Sequence, residues 1–359
     1  MKSEPIKIDE RMSHKIAGLG LVCACMVVGL HVGMDVAHMT TCAANFQYAI
    51  RRIFGMAVPL FFVFSGFLLA GHMGESGWWL RESRKRMRSL VIPYLFWNLF
   101  NMAFFMSIGS AADQLGIAFE GQSWMNFNGM DTILLAVGVY PLKHCSLANL
   151  WFLRSLIVFV VAAPVFSLFC RGRWFGFVSI AIMLSVCVLL PYSLPADLNF
   201  ETRFLATSWS DGILSFGVGV FLRWNGDWLS SLVRRCGTCL GWVLLIGGLT
   251  APIVNVCMVF GPPVIVSAFM LMAGMWLVIP DMHLPKFLTS AAFPMYVTHG
   301  FVIFIFAMVT RVTGLKPFAQ TANVAYMVQV FFAIAICVIA VAWMRKLFPR
   351  FSAMVFGGR

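Results

Sequence analysis

Long apolar segments recur along this chain with almost no charge inside them, and this feature constrains the fold more than any other. About 20 apolar residues in a helix cross the hydrocarbon core of a bilayer. Ten segments fit that description: 14–33, 54–73, 89–108, 148–169, 174–191, 208–222, 238–258, 263–280, 291–311 and 323–345. The sixth is the weakest, because it is short and carries Asp211. Hydrophobic residues make up 60% of the 359 residues and charged ones only 11%, against roughly a quarter in soluble domains. Mean hydropathy is +0.87. So few charges cannot cover so much apolar surface in water, which excludes a cytosolic globular enzyme and a disordered chain. The expected fold is all-α: a polytopic membrane protein with about ten transmembrane helices.

Charge sets the expected orientation. The net charge of +12 would suggest nucleic acid in a soluble protein, but no compact basic domain remains once the apolar segments are set aside, so no nucleic acid is expected. Lys and Arg mark cytoplasmic loops instead. With the N-terminus inside, nineteen basic residues fall in inner segments and six in outer ones, with Arg154 inside a span. That asymmetry gives N-in and C-in. No repeat or soluble domain interrupts 1–359, which reads as a single transmembrane domain with short cytoplasmic tails at 1–13 and 346–359. The first apolar segment lacks a clear cleavage site and reads as a retained helix. In 109–147, the apolar run Asp131–Tyr140 is too short to span and reads as a surface or re-entrant helix.

The ten cysteines are no disulfide framework, since Cys23, Cys25, Cys187, Cys257 and Cys337 sit inside apolar runs. Cys236 and Cys239 form a lone C-x-x-C without a second ligand pair. Cys42 and Cys145 fall in outer loops, and their pairing is not deducible.

Ionisable side chains in lipid are costly and mark functional positions by default. His31, Asp35 and His38 follow i, i+4, i+7 spacing. His31 reads as a catalytic base oriented by Asp35, as one ligand of a metal, or as a structural residue at the outer interface. Arg154, in Leu150-Trp-Phe-Leu-Arg154, is either a snorkelling cation or an anion partner. His299, between Pro294 and Gly300, either packs by hydrogen bonding or lines a locally opened helix. Arg81, Arg84, Lys85, Arg86 and Arg88 form a cytoplasmic cluster that satisfies the positive-inside rule or clamps phosphates. Ser65-Gly66 puts small residues among bulky Phe, which favours close helix packing.

In order along the chain, five segments resemble the acyltransferase-3 family of membrane acyltransferases: Met26-Val-Val-Gly-Leu-His31; Val58-Pro-Leu-Phe-Phe-Val-Phe-Ser-Gly-Phe-Leu-Leu69, the most specific; Arg84-Lys-Arg-Met-Arg-Ser-Leu-Val-Ile-Pro-Tyr-Leu-Phe-Trp97; Leu150-Trp-Phe-Leu-Arg154; and Phe293-Pro-Met-Tyr-Val-Thr-His299. The resemblance runs from about residue 12 to 345. It implies ten core helices in a bacterial inner membrane. It implies transfer of an acyl group, commonly acetyl from acetyl-CoA, to a hydroxyl of a cell-envelope glycan or lipid-linked sugar.

On that resemblance His31 is the family's essential first-helix His, and the basic run before Pro93 lies where the acyl-CoA donor docks. The expected assignments follow. Donor phosphates meet Arg84, Lys85 and Arg88, and the thioester enters near Ser65 and Asn98. His31, held by Asp35, is the base, with a transient acyl-His as a variant, and Arg154 stabilises the oxyanion. Trp151 and His299 contact substrate, and the outer loop 109–147 helps to receive the glycan. No metal is expected, and the oligomeric state is not read. One departure stands out: many members carry Arg or Lys eleven positions before the His, and here that position is Gly20. Lys15 is five residues earlier, about 7.5 Å along a helix, and is no simple replacement. Either another cation serves, or donor handling differs, or the chain is impaired. The competing functions are a transporter or flippase of an envelope precursor and a catalytically inert family member.

Overall fold

A computed structural model describes residues 4–32, 40–114, 150–195, 197–198, 200–234, 237–257, 264–280, 282–313 and 322–358. Every regular element among them is helical. In chain order they are α1 (Glu10–His31), α2 (Thr41–Gly55), α3 (Ala57–Ala70), α4 (Trp78–Gln114), α5 (Trp151–Val161), α6 (Ala163–Cys170), α7 (Arg173–Ser193), α8 (Phe200–Arg234), α9 (Gly237–Cys257), α10 (Val264–Val278), α11 (Lys286–Thr289), α12 (Ala292–Thr313), α13 (Ala322–Leu347) and α14 (Pro349–Val355). Each of the ten apolar segments overlaps one or two of these helices. Six helical stretches among the described residues are long and apolar enough to cross a membrane, or seven if the bent pair α5–α6 is one span.

Local chemistry sets several boundaries, and some differ from expectation. Asp9 caps α1, its carboxylate accepting the Met12 N–H at 2.8 Å. Thr40 caps α2 through the Ala43 N–H at 3.2 Å. The segment expected as one span over 148–169 is two helices bent by 69°. Pro164 lacks an N–H, and its ring would clash with the carbonyl four residues back, so α6 starts a new axis. The expected short span 208–222 is the middle of α8, a 35-residue helix. The region before the expected span 54–73 is not a loop: Thr41–Ala70 is one 30-residue apolar stretch, broken at Met56 ahead of Pro59. Helix α4 has 37 residues, about 55 Å, so its basic start extends well beyond what a bilayer core needs.

The chain forms two compact units. The first comprises Met1–Leu30, Tyr48–Arg84 and Val158–Thr289. Its helices meet through reciprocal glycine contacts. A Cβ on Gly219 of α8 would strike the Val63 carbonyl of α3, and a Cβ on Gly66 of α3 would strike the Phe216 carbonyl of α8. The same exchange joins α9 and α10, where Gly248 faces the Leu271 backbone and Gly274 faces the Leu245 backbone. Phe62, Phe159 and Phe216, all fully buried, fill the space beside the α3–α8 contact. The N-terminal residues belong to this unit, with the Ile6 N–H donating to the Arg223 carbonyl at 2.8 Å.

The second unit comprises His31–Gln47, Lys85–Ile157 and Ser290–Arg359. Residues 346–358, at the end of this unit, include the end of α13 and all of α14. The Trp97 indole N–H donates to the Val355 carbonyl at 2.9 Å, and Val355 and Phe356 are fully buried. An aromatic ladder of Phe100, Phe104, Phe301 and Phe304 joins α4 to α12. Gln47 and Asn323 pair at 3.2 Å, a side-chain amide contact of the kind that links helices in lipid.

The glycine contacts give a graded test. Gly219→Leu and Gly274→Leu force backbone apart and are expected to destabilise the protein by about 1–3 kcal/mol. Gly20→Leu, where a Cβ meets nothing within 4 Å, is expected to be near neutral. Thermal unfolding of the three variants in detergent checks the order.

Candidate functional site

The last residue of α1 is His31, and its side chain is exposed. Its ring centroid lies 4.9 Å from that of His299 in α12, with the planes tilted by 53°. His299 is fully buried. Its Nδ1 lies 3.2 Å from the Met295 carbonyl. A carbonyl can only accept, so Nδ1 carries the hydrogen and Nε2 keeps its lone pair. That Nε2 is buried with no hydrogen-bond partner among the described residues. The two imidazoles thus stand as an accessible ring backed by a buried one whose tautomer is set by its own helix.

Tyr296, one turn before His299, extends the cluster. Its ring centroid is 6.4 Å from that of His299 and 5.6 Å from that of Phe152 in α5. Its hydroxyl hydrogen-bonds the backbone of Leu153. The N–H groups of a helix's first turn have no partner within the helix, so this phenol serves the start of α5. Trp151 and Arg154, both half-buried, flank that contact on the same turn. Ser155 returns its hydroxyl to the Trp151 carbonyl at 3.0 Å.

Asn98 is also in this unit, fully buried, with Nδ2 donating to the Tyr94 carbonyl at 2.9 Å. Its Oδ1 has no partner among the described residues. Lys85 and Arg88 are exposed near the start of α4, in the same unit. Arg84 is exposed on the same helix, one position before the unit boundary. Positions 81, 84, 85 and 88 share one helix face. Ser65 belongs to the first unit, half-buried in α3. Asp35 and His38 lie outside the described residues, as does most of the loop 109–147.

Sequence reasoning singled out His31 and His299 separately and did not pair them, and it missed Tyr296. The available signal was the spacing in Phe293-Pro-Met-Tyr-Val-Thr-His299, which puts Tyr and His one turn apart on one helix. Lys15 does not fill the place of the cation at Gly20. Its ammonium donates to the Trp276 carbonyl at 2.7 Å and sits 5.1 Å from the centre of that indole. Space for a side chain at Gly20 is open. No group of three His, Cys, Asp or Glu among the described residues could hold a metal ion.

An accessible imidazole, a buried imidazole with a free lone pair and a helix start bearing Arg154 are parts for proton transfer beside a polarised oxygen. Compared with models of known families, residues 16–343 match the acyltransferase domain family designated acyltransferase-3. No curated protein and no solved structure matches the chain.

Two variants test the local account. Tyr296→Phe leaves a buried backbone donor without its phenol and is expected to lower stability by about 1–3 kcal/mol. Gly20→Arg, entering open space, is expected to change stability by less than about 0.5 kcal/mol. Melting temperatures of both against the wild type provide the check.

Proposed function

The chain belongs to this acyltransferase family, and from that premise we propose that it moves an acetyl group from acetyl-CoA to a hydroxyl of an extracytoplasmic glycan or lipid-linked sugar. The working arrangement is ten membrane crossings with both termini inside, in a bacterial inner membrane. The basic excess on the segments that would then face the cytoplasm supports that orientation. The observation that carries the site is the 4.9 Å contact between the exposed His31 ring and the buried His299 ring.

In this scheme His31 is the general base. It takes the proton of the acceptor hydroxyl as the oxygen attacks the thioester carbonyl. The carbon–oxygen bond forms, the carbon–sulfur bond breaks, and the proton passes from the imidazolium to the departing thiolate. His299 positions His31 through the contact of the two rings, and Asp35 acts on the same ring. Arg154 stabilises the oxyanion of the tetrahedral intermediate. Trp151 lines the acceptor side, and Asn98, in the same unit, lines the thioester's path. Arg84, Lys85 and Arg88, exposed at the start of α4, hold the donor's phosphates. The open space at Gly20 leaves donor handling to these cations.

Mass spectrometry of cell-envelope glycans and lipids tests the scheme, using cells with the intact gene, a deletion, and His31→Ala. One acetyl-sized modification is expected to vanish in the deletion and to fall by about 10²–10⁴-fold in initial rate with His31→Ala, the usual weight of a general base. His299→Gln is expected to lower the rate less and to shift its pH profile, as a positioning residue should. Unchanged acylation in the deletion strain would remove the assigned reaction. Wild-type rates with His31→Ala would remove the base.

A further inference from the structure

The first unit holds an open cavity of about 1160 Å³ lined by none of the residues assigned to acyl transfer above. It lies where α6 ends, α7 begins and α8 passes. Arg171, Arg173, Trp174, Trp224, Asn225 and Trp228 are among its lining residues. Both cations rest on indole faces: the Arg171 guanidinium carbon is 3.8 Å from the centre of Trp224, and that of Arg173 is 5.6 Å from the centre of Trp228. A guanidinium engaged by an aromatic ring keeps its N–H donors for a ligand. Asn225, only 4% exposed, donates to the Arg171 carbonyl at 3.2 Å and fixes the corner. Two guanidinium groups therefore line the cavity, neither in an ion pair with a carboxylate among the described residues.

Part of the lining is apolar and exposed. Leu168 and Trp174 line the cavity and are 69% and 74% exposed, and Phe175 and Phe177 continue that surface along α7. Exposed apolar side chains beside Trp and Arg mark the level where lipid headgroups meet the hydrocarbon. The occupant must then be an anion attached to apolar chains. Glu4 and Asp227 also line the cavity. They weigh against a polyanion such as a nucleotide and admit a singly charged phosphodiester. We propose that this cavity is a binding site for the headgroup of an anionic phospholipid, with its phosphate between Arg171 and Arg173 and its acyl chains along α6 and α7.

The proposal is independent of acyl transfer and is tested by binding alone. Purified full-length protein in detergent is titrated with dihexanoyl phosphatidylglycerol, dihexanoyl phosphatidylcholine or CoA, with thermal stabilisation as the readout. Phosphatidylglycerol is expected to bind more tightly than phosphatidylcholine, and CoA is expected not to displace it. Arg173→Gln, at an exposed side chain, is expected to weaken phosphatidylglycerol about fivefold, the weight of one basic residue at a phospholipid surface. Arg171→Gln with Arg173→Gln is expected to weaken it roughly 25-fold. Arg173→Lys is expected to retain most of the affinity. An unchanged response in Arg173→Gln would overturn the site. Displacement by CoA would overturn the lipid assignment and give the cavity to the donor's nucleotide.

Discussion

Lipid offers no hydrophobic reason for one apolar helix to prefer another, because acyl chains are as apolar as Leu. Close backbone approach carries the association instead. In the first unit, Gly66 and Gly219 each face the other helix's carbonyls, and Gly248 and Gly274 repeat the exchange one helix pair further on. Removing the side chain lets two helices gain dispersion contacts along their backbones, small individually and large in sum. The buried Phe62, Phe159 and Phe216 then fill the volume beside the contact. The large exposed apolar surface of α7 and α13 follows from the same constraint and needs no partner protein to explain it.

Polar groups in such a setting sit where the structure has a use for them. Three of those in the second unit show this. His299 spends one nitrogen on the Met295 carbonyl and keeps the other without a partner among the described residues, its ring 4.9 Å from that of His31. Tyr296 ties the start of α5 to α12. Asn98 spends its amide on its own helix. Each group is oriented by one local hydrogen bond and retains chemical capacity, which is how a rigid site in low dielectric is built.

The structure also separates two cationic surfaces that charge counting merges. The face of α4 carrying Arg84, Lys85 and Arg88 is exposed and regular. Arg171, Arg173 and Arg223 instead lie against aromatic rings. A count of positive residues places both groups on one side of the membrane. Only the second has its charges held in place by neighbouring side chains, and that fixes where an anion's atoms would go.

Much of the fold was legible because a bilayer imposes a length and a composition on every crossing. Each of the ten apolar segments overlaps a helix, and the five motif segments point to the family whose model the chain matches. Local breaks were less legible. The 69° bend at Pro164 and the interruption at Met56 divide segments that hydropathy joins, since averaging over a window hides a single missing hydrogen bond. The sequence by itself determined the helical class, the apolar faces and the identity of His31 as a position of interest, because each follows from covalent chemistry and solvent. The tertiary structure alone decided that His31 meets His299, that Tyr296 serves the start of α5, that the last residues pack on Trp97, and that Lys15 is committed to Trp276. These pairings join residues up to 268 positions apart, and no local rule of spacing or charge reaches across such a separation.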